Sequence, residues 1–552
     1  MDLDPDACYR AISTRDARFD GRLFIGVRTT GIYCRPICPA RTPRRENLVF
    51  FPSAAAAQEA GFRPCLRCRP EAAPDLGVWR GTSNTVSRAL ALIEKGGLDG
   101  AEVDTLAERL GVGERQLRRL FRRHLGASPI AVAQTRRVLL AKHLIHETRL
   151  PMGEVALAAG FGSIRRFNET FQQLFGRPPS TLRRAAATGS RAGEVAILLP
   201  YRSPYDWPAM LGFLRARAIP GVETVSRDGY ARTIEIAGMP GTVAVRPATG
   251  NALRATIQFP QLSALPTIVA RLRRVFDLAA DPGVIGAHLS EDRVLAPLVA
   301  ARPGLRVAGA WDGFELAVRA VLGQQITVVA AVKLAGKLVA AYGKPLSGAT
   351  PVADGLTHVF PGPERLAVAD LSSLGVVRAR AAALASLARA VVADPLLFGP
   401  MRSLDDAILK LRALAGIGEW TAQYIAMREM REPDAFPAAD IGLMRALADR
   451  KGRRPSPREL LARAERWRPW RAYAAQHLWA SQGPPRASAQ MSYDRRGTPD
   501  DRSPLRSRHA AGLAARRLRA DGDPEARHAG PRGAPGRRRA GAGRARRHPA
   551  SA

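Results

Sequence analysis

The chain has 552 residues, which at about 100–200 residues per domain predicts roughly three to five domains. Lys and Arg number 84 against 49 Asp and Glu, a formal net charge of +35, which points to a polyanionic partner, nucleic acid before a membrane surface. Hydrophobic residues make up 46%, too many for a chain disordered throughout. No run of about 18 apolar residues predicts a membrane span, and the acidic opening Met1-Asp2-Leu3-Asp4-Pro5 lacks the apolar stretch of a secretion signal. The five Cys all fall within the first 68 residues, so they predict a metal site in a reducing compartment rather than a disulfide scaffold.

The expected fold is mainly α with α+β parts. Composition divides it into 1–76 (Cys- and Arg-rich), 80–186 (helical, two similar halves), 192–303 (strand-like), 304–483 (Ala/Leu/Arg-rich, helical) and 484–552 (low complexity).

Cys34-x3-Cys38 is followed 27 positions later by Cys65-x2-Cys68. Two such pairs can close four thiolates around one Zn²⁺. Spacing alone leaves two roles open, a structural ion or a site that activates a thiolate. Four thiolates on one dication leave the cluster net negative, so one sulfur remains nucleophilic. The stretches Thr29–Pro36, Arg44-Arg45-Glu46-Asn47 and Gly61–Cys68 closely resemble the N-terminal domain of the Ada adaptive-response protein, over roughly residues 5–76. The resemblance implies Cys34 as acceptor of a methyl group from a DNA methyl phosphotriester, with Cys38, Cys65 and Cys68 as the remaining zinc ligands. It makes Arg35, Arg45, Arg63 and Arg67 candidate phosphate contacts. Cys8 lies outside the pattern and reads as an ordinary thiol.

Val103–Val112 leads through a Gly turn into Glu114–His124, with Leu117, Leu120 and Phe121 inward and Arg outward. A second copy runs from Met152–Ala159 through Gly160-Phe161-Gly162 into Ser163–Phe175, with Phe167, Phe171 and Leu174 as its core face. The pair reads as two helix-turn-helix units. With Phe175-Gly176-Arg177-Pro178-Pro179 it resembles the AraC-type DNA-binding domain. Gln116, Arg118 and Arg119 on one recognition helix, and Ser163, Arg165 and Arg166 on the other, are the candidate DNA contacts.

Glu194–Leu199, Tyr230–Ile236, Thr242–Arg246 and Ala252–Phe259 alternate like strands, and Trp207–Ala218 and Leu262–Phe276 read as helices. Together they predict a small antiparallel sheet with helices on one side.

Leu414-Ala415-Gly416-Ile417-Gly418-Glu419-Trp420 has the form of a helix-hairpin-helix, whose Gly416 and Gly418 let backbone amides approach a phosphate. Asp440 follows 22 residues after Gly418 and, taken alone, reads as a helix N-cap. Pro204–Trp207, Met210–Leu214, Arg302–Arg306, Ala317–Gln324 and Ala464–Arg471 resemble the AlkA-type 3-methyladenine DNA glycosylase, and the match runs over residues 195–482. The resemblance implies Asp440 as the essential carboxylate, Trp420, Tyr424 and Trp479 as the pocket for a flipped base, Arg217 as a cleft residue and Gln325 as the wedge, Gln replacing the family's Leu. Bifunctional relatives carry a Lys where this chain has Trp420, so a monofunctional enzyme leaving an abasic site is expected. A monovalent cation on the carbonyls of Arg412, Leu414 and Ile417 is expected at the hairpin.

From Pro484 onward the chain holds 17 Arg, six acidic residues and almost no large aliphatics, a composition that cannot offset chain entropy. It reads either as a non-specific DNA-binding tail or as an extension without function. No Cys follows Cys68, so the Pro-Cys-His-Arg nucleophile of full Ada proteins is missing from this chain. The expected partners are alkylated duplex DNA, promoter DNA and RNA polymerase, with no membrane, for a cytoplasmic, nucleoid-associated bacterial monomer. The competing expectation is a regulator with a structural zinc and an inactive glycosylase half.

Overall fold

The computed structural model describes residues 4–70 and 84–482, except 17–18, 22, 95, 149, 184–193, 347–352, 400, 402 and 450. The Arg-rich tail lies outside the described residues. No helix among those described is long and apolar enough to cross a membrane.

The first unit is a four-stranded sheet of β1 (Phe24–Val27), β2 (Ile32–Cys34), β3 (Leu48–Phe51) and β4 (Arg63–Pro64), in the order β3-β1-β2-β4. β1 is antiparallel to β2 and β3, and β4 lies parallel to β2. The β2–β4 pairing carries the two Cys pairs to one end of the sheet. The thiol of Cys8 is buried with Ile12, Leu23 and Ile25, and burial pushes it up. That is the expected ordinary thiol.

Both helix-turn-helix units form. Val103–Arg109 packs on Glu114–Leu125, and Met152–Ala158 on Ile164–Phe175. Each second helix ends on a glycine in the left-handed region, Gly126 and Gly176, which satisfies its last carbonyls. Leu117, Phe121, Phe167 and Phe171 are fully buried, whereas Leu120 and Leu174 lie at the core's margin. The helix Pro129–Glu147 links the two units.

The next sheet has five strands, β5 (Glu194–Pro200), β6 (Glu223–Val225), β7 (Tyr230–Ile236), β8 (Met239–Ala248) and β9 (Ala252–Gln258), in the order β5-β9-β8-β7-β6. Every pairing is antiparallel. β6 has no counterpart in the expected strands, because three residues are too few to show a period of two. The break in composition near 187–191 is not a break in packing. One hydrophobic cluster takes in Phe167 and Phe171 from the second helix-turn-helix, Val195 and Ile197 from β5, and Ile268 and Leu272 from the helix Leu265–Val275.

The helices from Pro282 onward surround a second large core. It includes Ile285 and Leu289 from Pro282–Leu289 and Leu295 and Val299 from Leu295–Ala301, helices that lie on the strand-rich side of residue 303. Sheet and helices are tied by buried ions. Arg232 on β7 donates to Glu315 at 2.6 Å, and Arg319 donates to the same carboxylate at 3.0 Å. Burial alone would raise Glu315, but the two guanidiniums bring it down to about 2.

His477, on the helix Arg471–Ala480, is buried, and burial pushes its imidazole down to about 4. In the unfolded chain it titrates near ~6.5. Above that pH both states are neutral and the full stability is present. Between about 6.5 and 4 only the unfolded state takes up the proton, so stability falls by up to about 3 kcal/mol as pH drops through that window. Urea midpoints at pH 7.5 and 4.5 should therefore differ less in His477→Gln than in the wild type. An identical pH response in both would rule this out.

Candidate functional sites: a four-cysteine centre and a carboxylate held by two indoles

At the end of the first sheet the Sγ atoms of Cys34, Cys38, Cys65 and Cys68 all lie within 4.8 Å of one another. Cys65 and Cys68 are buried, while Cys34 and Cys38 are half-buried. The backbone N–H of Arg67 donates to Cys65 Sγ and that of Arg35 to Cys68 Sγ, each at 3.3 Å, and Cys38 accepts from the backbone of Ala40. The hydrogen bonds of Cys34 are with the other three sulfurs. These contacts push the Cys34 thiol up, the bond with Cys38 foremost, while the same bond brings Cys38 down to about 7. Four sulfurs that compete for protons at this spacing suit one tetrahedral thiolate-loving dication, so the donor set fits Zn²⁺.

The arginines around the cluster fall into two kinds. Arg35 is half-buried: its Nε donates to Asp20 at 2.8 Å, its Nη2 pairs with the same carboxylate, and its Nη1 donates to the Cys68 carbonyl at 3.0 Å. It braces the second Cys pair. Arg67 is exposed, Arg63 half-buried on β4, and Arg45 exposed and paired with Asp6 at 2.5 Å. On the recognition helices Gln116, Arg118, Arg119, Ser163, Arg165 and Arg166 are all exposed. Arg118 pairs with Glu114 and Arg165 with Glu169, one helical turn away. Ser163 caps its helix by accepting from the N–H of Arg166 at 3.1 Å.

In the C-terminal half Asp440 opens the helix Ile441–Ala446 and accepts from the N–H of Leu443 at 2.9 Å. Two indoles converge on the same carboxylate. Trp479 Nε1 donates to Oδ1 and Trp420 Nε1 to Oδ2, both at 2.9 Å. These tryptophans are two of the rings expected to line the base pocket, and their polar edges also fix the carboxylate's orientation. Tyr424 stacks on Trp420 with ring centroids 5.1 Å apart and planes 11° from parallel. Gly442 leaves room for the arrangement, since a Cβ there would stand 2.9 Å from Asp440 Oδ1 and 3.2 Å from Trp479 Cδ1.

Sequence reasoning names Arg217 but misses Arg428 in the floor beneath these rings. Arg428 is buried with its guanidinium 4.8 Å from the Tyr424 ring and 4.4 Å from the Phe213 ring. Arg217 lies 4.0 Å over Phe213, with its own carbonyl held by Arg319 at 2.8 Å. Burial would raise the Tyr424 hydroxyl, but Arg428 and Arg217 outweigh it and hold it below the ordinary phenol range. The only sequence signal for Arg428 is its place one helical turn after Tyr424.

The hairpin adjoins this site. Gly416 has φ +79°, and a Cβ there would meet Ala383 Cβ at 2.4 Å. Gly418 precedes the helix Glu419–Arg428, with open space where its Cβ would be. Gln324 Nε2 donates to the Gly416 carbonyl at 2.9 Å and to Thr421 Oγ1 at 3.1 Å, tying the hairpin to the neighbouring turn. Gln325 stands exposed on that turn with φ +58°.

Four family models match in chain order. They are the metal-binding domain of Ada over 7–71, a helix-turn-helix domain over 106–185, the AlkA N-terminal domain over 196–312, and the HhH-GPD superfamily of base excision DNA repair proteins over 318–472. A probable bifunctional transcriptional activator/DNA repair enzyme AlkA of Mycobacterium tuberculosis is 43% identical over 87% of this chain and 97% of its own length. The chain belongs to that family of bifunctional transcriptional activator/DNA repair enzymes. DNA-3-methyladenine glycosylase 2 of Escherichia coli is 37% identical over 52% of this chain and 97% of itself. The bifunctional activator/repair enzyme AdaA of Bacillus subtilis is 30% identical over 32% of this chain and 82% of itself. The cysteine centre, the paired helix-turn-helix and the indole-held carboxylate thus lie in separate matched regions of one chain.

Proposed function

We propose that the C-terminal half hydrolyses the N-glycosidic bond of N-alkylated purines of the 3-methyladenine type in duplex DNA and leaves an abasic site. The observation that carries this is Asp440 fixed by two indole N–H groups beside an aromatic stack. As the bond breaks, its electron pair leaves on the base and neutralises the alkylpurine's positive charge. The sugar carbon gains cationic character, which the Asp440 carboxylate stabilises while water adds to it and gives up a proton to the solvent. An already cationic base is a good leaving group, so one carboxylate suffices without a strong general acid. Trp420 and Tyr424 offer ring faces for the extruded base, and Gln325 is the proposed wedge for the gap it leaves. With Trp420 where a Schiff-base Lys would stand, the reaction stops at the abasic site. Gly416 and Gly418 present backbone amides to a phosphate, and the carbonyls of Arg412, Leu414 and Ile417 are the proposed ligands of a monovalent cation.

The N-terminal half is proposed to sense damage. Zn²⁺ held by the four Cys would keep their sulfurs ionised at neutral pH. Cys34 then takes a methyl group from a DNA methyl phosphotriester: its S–C bond forms as the O–C bond breaks, and the phosphodiester anion leaves. Losing one thiolate charge lowers the negative charge of the centre and strengthens its hold on phosphates, with Arg45, Arg63 and Arg67 as contacts. Gln116, Arg118, Arg119, Ser163, Arg165 and Arg166 are the proposed contacts to promoter DNA, with RNA polymerase recruited there by a cytoplasmic, monomeric activator.

The test is release of free 3-methyladenine from methylated duplex DNA by the full chain, with strand integrity followed in parallel. Free base with an intact abasic strand is expected. No release by folded protein that still binds DNA would leave a regulator only.

A further inference from the structure

Between the two helix-turn-helix units lies a groove of about 550 Å³, lined among others by Asp99, Glu114, Arg118, Arg166 and Thr170. Asp99 belongs to the loop after the helix Asn84–Glu94 and sits where three elements meet. Its carboxylate pairs with Arg137 Nε at 2.9 Å and Arg136 Nη1 at 3.3 Å, both on the linking helix. Arg136 and Arg137 also donate to the carbonyls of Glu94 and Leu98, so the loop is held at two further points before Asp99. Directly against Asp99, Gly160 in the turn of the second unit has φ +89°, and a Cβ there would stand 2.4 Å from Asp99 Oδ2. Gly96, with φ +86°, approaches the same oxygen so that a Cβ would stand 2.8 Å from it.

One carboxylate thus joins the loop leading into the first unit, the linking helix and the turn of the second unit. Arg118 and Arg166, from the two recognition helices, open onto the same groove. We propose that Asp99, seated against Gly160, is a positioning residue that locks the two recognition helices into one rigid reader of two DNA blocks about one helical turn apart. It acts through the helices it orients. The two-block reading depends on this lock because simultaneous engagement raises affinity only when geometry permits both helices to bind at once.

The proposal rests on the DNA-binding reading of this domain, and the experiment separates the two. The full-length wild type is used to enrich duplexes from a random 30-base-pair pool, and two sequence blocks are expected. Asp99→Asn and Gly160→Ala should each bind the two-block duplex at least about tenfold more weakly than the wild type, since avidity is lost with fixed geometry. Both should bind a duplex with one block scrambled as the wild type does, and release alkylated base at the wild-type rate. Equal losses on both duplexes would mean general destabilisation of the domain and would overturn the proposal, as would no loss on either. A selection that returns no preferred sequence would overturn the DNA-reading role beneath it.

Discussion

Asp440→Asn should abolish most base release while DNA binding and folding persist. Asn is as good a helix N-cap as Asp, so the bond to the Leu443 N–H and the helix Ile441–Ala446 survive. Two things are lost. The amide is neutral, so the sugar's developing cation faces no counter-charge. Its NH2 group also meets the N–H of Trp420 where Oδ2 accepted at 2.9 Å, donor against donor. A unit charge about 4 Å from the reacting centre, at an effective dielectric of ~20, contributes about 4 kcal/mol. That corresponds to a roughly thousandfold drop in the single-turnover rate. Release within a few-fold of wild type would show that another group carries the chemistry.

Cys34→Ser should leave a protein that accepts no methyl group at all. Labelled methyl from alkylated DNA is expected on the wild-type chain at one per molecule and on no other cysteine. The hydrogen-bond pattern of the cluster supports this choice of sulfur. Cys38, Cys65 and Cys68 each accept a backbone N–H, which lowers a thiolate's nucleophilicity, and Cys65 and Cys68 are also buried. Cys34 is half-buried and bonded only sideways to its fellow sulfurs. Serine in its place is a poor zinc ligand and is not ionised at neutral pH, so transfer falls to background and the metal is held more weakly. Label appearing on Cys34→Ser at wild-type levels would sink the assignment. A chain that loses label but keeps its glycosylase rate would place the two activities in separate sites.

Much of the molecule is legible in the sequence, because the features concerned are local. Cys34-x3-Cys38 and Cys65-x2-Cys68 announce a four-thiolate site through spacing alone, and the repeated helix–turn–helix pattern announces its core through Leu117, Phe121, Phe167 and Phe171. The hairpin around Gly416 and Gly418 is equally local, since only glycine fits the left-handed turn with Ala383 so near.

What the sequence could not decide are relations across long separations. Asp440 read alone is an N-cap, and it is one; only the fold brings Trp420, 20 residues before it, and Trp479, 39 residues after it, to its two oxygens. Nothing local in the sequence says that Arg35 meets Asp20 and the Cys68 carbonyl; the fold brings them together. The boundary at 187–191 divides two compositions but not two cores, because Phe167 and Ile197 are equally apolar and pack in one cluster. Local periodicity records which face of an element is buried. Which partner buries it, and which charges meet there, is settled by the tertiary structure, where desolvation makes each buried polar group demand a specific neighbour.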